Sequence, residues 1–200
     1  FALPSPLSAQ PRFVVREERA LGVPLFRLFT DGRAAGTTLI WLANFLNIVN
    51  AYFVASWLPA IVRDSGMSAT TGVLAGTAVQ AGGAIGTLFI AYIFRRIGFI
   101  PILTVCFAIE AAGLALLGQP SLTASILFLV AFLTGVGIFG GQPTLNSLSA
   151  IYYPTDLRST GIGAALGVGR VGSLVGPTAA AVMMSQQWSR ADGVHAGAVP

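Results

Sequence analysis

Residues 135–177 read GVGIFGGQPTLNSLSAIYYPTDLRSTGIGAALGVGRVGSLVGP. Two apolar, glycine-rich runs flank a short charged turn, Tyr152-Tyr153-Pro154-Thr155-Asp156-Leu157-Arg158. In the first run Pro143 follows Gly140-Gly141-Gln142 and removes a backbone donor, which predicts a kink and free carbonyls near Gln142. Gln142 and Asn146 are four apart and share a helix face. The second run carries a single arginine, Arg170, among glycine and aliphatic residues. If this run crosses a bilayer from Ser159 or Thr160, Arg170 lies about 15 Å in, close to the midplane of a ~30 Å hydrocarbon core. An arginine at that depth costs about 2.5–3.5 kcal/mol on insertion scales, so its presence needs a reason.

The rest of the chain supports a membrane reading. Of 200 residues, 54% are hydrophobic and 9% charged, against about 25% charged in an ordinary soluble domain. All eleven basic residues are arginine, and the net charge of +4 comes from loop arginines. No stretch interleaves basic and aromatic residues as a nucleic-acid surface does, so the charge is read as topology. Cys106 and His195 are the single residues of their types, which excludes an internal disulfide and any Cys/His metal spacing. No cofactor is implied. The chain opens on Phe1 with a polar, proline-containing segment that is no signal peptide, and reads as part of a longer polypeptide.

Five apolar helices are predicted, over 37–62, 68–94, 99–117, 121–151 and 155–184. They follow a basic lead-in, 1–36, with a short surface helix near 24–30, and precede a polar loop, 185–200. In the first helix Asn44, Asn47 and Asn50 recur every three residues on one arc about 120° wide. Amides facing hydrocarbon would go unsatisfied, so the stripe faces either another helix or a polar cavity. The second helix is rich in glycine at spacings of three and four, which permits close helix packing; Gln80 is a lesser cavity candidate. Arg95-Arg96-Ile97-Gly98 reads as a basic turn. Glu110, the one acid inside an apolar run, is protonated, paired or near the interface. Thr155 reads as an N-cap, with Asp156 in the first turn of the last helix. With the lead-in on the cytoplasmic side, inside segments hold Arg12, Arg16, Arg19, Arg27, Arg33, Arg95, Arg96 and Arg158, and outside segments hold Arg63 and Arg190. That split obeys the positive-inside rule and leaves the chain outside after five spans.

The elements FGGQPTLNSLSAIYYPTDLRSTGIGAALGVGRVGSLVGP, with DGRAAGTTLIWLANFLNIVNAYFVASWLPAIVRDSGMS earlier in the chain, resemble the aromatic acid:proton symporter family of the major facilitator superfamily. The resemblance covers about residues 31–184. It implies an all-α integral membrane fold: the C-terminal half of a twelve-helix bundle, helices seven to eleven, with the N-terminal half of the same polypeptide and helix twelve absent. It implies proton-coupled uptake of aromatic carboxylates such as 4-hydroxybenzoate, protocatechuate or benzoate across the inner membrane by alternating access. It places Asn44, Asn47, Asn50, Gln142, Asn146 and Arg170 on the central pathway. Arg158, about one turn into the last helix beside Asp156, reads either as a cytoplasmic gate residue or as a topology-setting arginine, and Asp156, Arg95 and Arg96 read as gate or loop residues. Where the superfamily has an acid at the turn after the second helix, this chain has Arg95.

Other functions remain to be weighed. A facilitator for another solute, such as a sugar acid or a drug, shares the fold. A membrane-embedded enzyme needs convergent nucleophile, base or metal ligands, which one histidine, one cysteine and one intramembrane acid do not supply. A channel or assembly subunit would use its arginines structurally. Arg170 itself either binds a substrate carboxylate through its planar fork or pairs with Glu110 or with carbonyls freed at Pro143.

Overall fold

The computed structural model describes residues 24–119 and 122–196. Arg12, Arg16 and Arg19 of the basic lead-in lie outside that range. The described residues form six helices: α1 Pro24–Arg27, α2 Ala34–Asp64, α3 Ala69–Ile97, α4 Phe99–Leu117, α5 Ala124–Tyr152 and α6 Arg158–Ala196. All but α1 are long and apolar enough to cross a membrane.

Local chemistry sets the breaks. Ser68 caps α3 by accepting a hydrogen bond from the Thr71 amide at 3.3 Å. Gly98 takes the left-handed region, φ 84°, and turns the chain straight from α3 into α4. The helix therefore carries Arg95 and Arg96 in its last turn, and the basic turn expected from the sequence shrinks to one glycine. At the other charged turn, residues 154–157 stay outside the helix and α6 begins only at Arg158. Thr155 is thus no N-cap, and Asp156 sits outside the first helical turn because it reaches across to Arg27 instead. Beyond 184, where a loop was expected, α6 continues to Ala196.

Packing runs in pairs: α2 lies along α6, α3 along α5, and α4 along the other side of α5. Glycines make the first two pairings close. A methyl group on Gly82 of α3 would strike the Phe132 carbonyl of α5, and one on Gly135 of α5 would strike the Val79 carbonyl of α3. On α6, a methyl on Gly172 or Gly176 would come within 2.7 Å and 2.6 Å of the Phe45 and Val49 carbonyls of α2. Without a strong hydrophobic drive between helices in lipid, such close backbone contact supplies the attraction. A buried cluster, Val54, Leu58, Val62, Ala75, Val79, Leu127, Val130 and Ile138 among its members, joins α2, α3 and α5.

The lead-in docks at one end of the bundle. Leu28 packs with Tyr153 and Leu157, all essentially buried. The Thr37 hydroxyl donates to the Leu28 carbonyl at 2.8 Å, and the Tyr152 hydroxyl donates to the Arg33 carbonyl at 2.9 Å. Tyr152 and Tyr153 therefore tie the α1–α2 connection to the α5–α6 turn.

Candidate functional site

Pro143 is the origin of the site. Its ring nitrogen has no hydrogen to give, so the carbonyl four residues earlier, Phe139, loses its helical partner. The Thr87 hydroxyl of α3 donates to that carbonyl at 3.0 Å. One residue back, the Ile138 carbonyl accepts the Asn47 amide of α2 at 3.1 Å. The carbonyls near the proline are thus served by side chains from two neighbouring helices.

A short chain of amides continues from there. Gln142 Nε2 donates to Asn44 Oδ1 at 3.1 Å and reaches Asn146 Oδ1 at 3.5 Å, while Asn44 Nδ2 donates to the Ile40 carbonyl at 3.0 Å. Asn44 and Asn47 are buried, 0% and 2% exposed. The interhelical reading of these two asparagines thus accounts for their bonds. Asn50 does not join them. Half-buried, it lines a separate cleft between α2 and α4 together with Glu110. The reason is angular: three asparagines at three-residue spacing span about 120°, enough to turn the ends of the stripe toward different neighbours.

Arg170 stands beside this seam. A methyl on Gly169 would lie 2.9 Å from Ile48 Cδ1 and 3.5 Å from the Asn44 carbonyl, so α6 touches α2 at the level of Asn44, one residue before Arg170. Arg170 is exposed, and among the described residues its guanidinium forms no hydrogen bond and no salt bridge. Gly163 and Gly167, on the same side of α6, have open space where a side chain would begin. Glu110 is not its partner. That carboxyl is 1% exposed on α4, packed where α4 crosses α5 near Gly137.

The candidate gate residues gather only in part. Asp156 pairs with Arg27 at 3.2 Å, both half-exposed, and Arg33 pairs with Asp31 at 2.7 Å. Arg158 and Arg96 are exposed, and neither joins this cluster. The side chain of Arg95 lies outside the described residues. Between α2 and α3 a second cavity of about 260 Å³ is lined by Gln80 and Phe139 among apolar residues. Thr87 and the Tyr152–Arg33 tie had no signal in the sequence, because each depends on which helix lies opposite.

Comparison with known proteins bears on these elements. The profile of the Major Facilitator Superfamily matches residues 3–191. The chain is 33% identical over 164 residues to a 4-hydroxybenzoate transporter of Acinetobacter baylyi, a match covering 81% of the chain and 35% of the relative. It is 30% identical over 179 residues to a gallate transporter of Pseudomonas putida, covering 89% of the chain and 40% of the relative. It is 34% identical over 151 residues to a gentisate transporter of Corynebacterium glutamicum, covering 73% of the chain and 33% of the relative. The chain thus spans well under half the length of these relatives. No solved structure matches it. Five membrane-length helices packed through glycine notches, a seam of intramembrane amides and a match along almost the whole chain agree: this chain belongs to the Major Facilitator Superfamily and is similar to its transporters of aromatic acids.

Proposed function

We propose that the chain forms most of the C-terminal half of a secondary transporter that takes up aromatic carboxylates with protons across the inner membrane. The lead-in and the α5–α6 turn lie on the cytoplasmic side. The N-terminal half, from the same polypeptide, faces the side of the bundle that carries Arg170, and the two halves rock about the bound substrate. The observation that carries this reading is the exposed guanidinium of Arg170, unpaired among the described residues, beside the amide seam at the level of Asn44.

An arginine at mid-depth has two uses: to meet an acid of the protein or to meet one that arrives. Among the described residues no protein acid meets it. A carboxylate fits its fork through two parallel hydrogen bonds. Gln142 and Asn146, half-buried at the edge of the seam, offer polar contacts for ring substituents, and Phe139 and Tyr52 offer exposed aromatic surface. The relatives are transporters of 4-hydroxybenzoate, gallate and gentisate, three rings that share a carboxylate and hydroxyl groups. Arg158, on the cytoplasmic side of α6, acts as a gate residue, with Asp156 and the α3–α4 arginines Arg95 and Arg96 setting charge at the same face.

The test is uptake of labelled 4-hydroxybenzoate, gallate and gentisate by cells expressing the full-length polypeptide, with and without a proton uncoupler. Uptake is expected to be abolished by the uncoupler and competed by aromatic carboxylates. Competition by sugar acids or neutral drugs in their place would assign another solute. Arg170→Lys and Arg170→Ala, at equal membrane levels, are both expected to lose uptake, because a lysine keeps the charge and loses the fork. Normal uptake by either overturns the binding role.

A further inference from the structure

Glu110 is the buried ionisable group that the proposed substrate site leaves unused. It lies in the middle of the 19-residue α4, about 10 Å from the nearer helix end at 1.5 Å per residue. Its short side chain reaches neither interface. It is 1% exposed, and neither carboxyl oxygen has a hydrogen-bond partner among the described residues. No cation among them stands by to pair it. α5, on which Glu110 packs at Gly137, holds no charged residue. Those of α2, Arg63 and Asp64, stand in its last turn, about 20 Å beyond Asn50. α3 meets α4 through Phe89, Ile90, Ile93 and Ile97. On α4 itself the titratable neighbour is Cys106, a turn earlier and buried. A carboxylate so placed has nothing to offset its charge, so the group is a carboxylic acid and holds a proton.

The surroundings suit a proton that comes and goes. Glu110 lines a cleft of about 350 Å³ between α2 and α4, and one water takes about 30 Å³ in the liquid. Asn50, half-buried, is the other polar side chain of that wall. An amide serves both states of a carboxyl: its oxygen accepts from the acid's O–H, and its N–H groups donate to the carboxylate. Asn47 also faces Glu110, but already donates to the Ile138 carbonyl. Beside Glu110 the backbones of α4 and α5 nearly touch. A methyl on Gly137 would lie 2.7 Å from the Cys106 carbonyl and 3.0 Å from the Glu110 amide nitrogen. Gly137 and Ile138 stand one turn before Gly141 and Gln142, at the Pro143 kink. A charge appearing at Glu110 therefore acts on the α4–α5 contact, one turn from the amide seam.

We propose that Glu110 is a proton-binding site of the transport cycle, with Asn50 as the partner of both its states. The carboxylate takes a proton from water on the outer side, the neutral acid persists through the change of conformation, and the proton leaves to cytoplasmic water. No bond other than the carboxyl O–H forms or breaks, and the charge of the proton offsets that of the substrate carboxylate. The site rests on the transport reading above and adds to it the group that couples the proton. If the acid only packed, glutamine, which has the same shape and stays neutral, would serve as well.

The experiment uses the full-length polypeptide in proteoliposomes with labelled 4-hydroxybenzoate. Accumulation under an imposed inward proton gradient is compared with exchange at equal pH on both sides. The parent is expected to do both. Glu110→Gln, at equal protein levels, is expected to keep exchange close to that of the parent and to lose accumulation, its uptake ending at equal concentrations inside and out. A Glu110→Gln protein that accumulates like the parent, with the same pH dependence, overturns the site. So does a folded one that loses exchange together with accumulation, because the carboxyl then serves binding or packing. A parent whose uptake ignores the proton gradient overturns the transport reading and this site with it, whereas a coupled parent with a coupled Glu110→Gln removes the site alone. If Glu110→Gln does not reach the membrane, the parent decides. Its infrared difference spectrum on adding 4-hydroxybenzoate is expected to contain a protonated-carboxyl band that moves in Glu110→Asp. A spectrum in which no carboxyl band responds to the substrate overturns the site.

Discussion

The α2–α5 seam and the open face of α6 treat polar residues in opposite ways. In the seam, Asn44, Asn47 and Gln142 all find partners within the bundle, at 3.0 to 3.1 Å. On α6, one residue past the contact with Asn44, Arg170 finds none among the described residues. Hydrocarbon penalises an unsatisfied polar group, so a satisfied one is explained by packing and an unsatisfied one by a partner yet to arrive. The proposed function reads this difference as stability for the seam and recognition for Arg170.

The largest expected effect tests that division directly. In the full-length protein Arg170→Ala removes charge-assisted hydrogen bonds worth about 1.5–3 kcal/mol, a loss of roughly 10- to 100-fold in uptake efficiency. Its melting temperature in detergent is expected to stay within about 2 °C of the parent, since no partner among the described residues is lost. Asn47→Leu is expected to do the reverse. It leaves the Ile138 carbonyl without its α2 donor and lowers stability by about 0.6–1.7 kcal/mol, the range for interhelical hydrogen bonds in membranes. If Arg170→Ala melts early and Asn47→Leu does not, the two roles are exchanged.

A smaller effect sharpens the account of the seam. Thr87→Val strips the donor from the Phe139 carbonyl and is expected to cost about 1 kcal/mol. Pro143→Ala returns a backbone N–H to that carbonyl. In the Pro143→Ala background, Thr87→Val is therefore expected to be close to neutral. A double-mutant cycle on thermal unfolding measures the coupling, and additive losses would show that Thr87 serves the helix pair without serving the proline.

The contrast also marks how far the residues alone could be read. Five spans were legible because apolar length is a strong signal, and α4 over 99–117 shows it, flanked by Gly98 and Gly118. The helix ends were less so. Arg95 and Arg96 look like a turn in sequence, yet Gly98 alone breaks the chain, because only that residue takes a left-handed backbone there. Asp156 reads as a first-turn acid by position, and Arg27, 129 residues away in the chain, takes it instead. The candidate site was legible by residue type and not by grouping. Polar residues in apolar runs named Asn44, Gln142, Asn146 and Arg170, and the proline named the carbonyls. Which carbonyl meets which side chain depends on helix rotation, and a spacing of three leaves that open: Asn44 and Asn47 turn to the seam and Asn50 to Glu110.

The smallest expected effect lies at the end of the bundle where charged groups meet water. Arg27 and Asp156 are 3.2 Å apart and remain 44% and 54% exposed. A pair so exposed contributes about 0–1 kcal/mol and is screened by salt. Tyr152 makes a better tie, because its half-buried hydroxyl meets the Arg33 carbonyl at 2.9 Å and its ring fills the space above Gly36, where even a methyl group would collide with it. Arg27→Ala is therefore expected to shift the melting temperature by less than Tyr152→Phe does, and its shift should vanish in about 0.5 M salt while that of Tyr152→Phe persists. The charge-swapped pair Arg27→Asp with Asp156→Arg is expected to recover what either change loses at low salt. If Arg27→Ala instead outweighs Tyr152→Phe at high salt, the ion pair holds the lead-in in place. At the water-facing end an exposed charge pair would then hold the chain more firmly than a half-buried hydrogen bond, and the rule that buried polar contacts carry the stability would fail there.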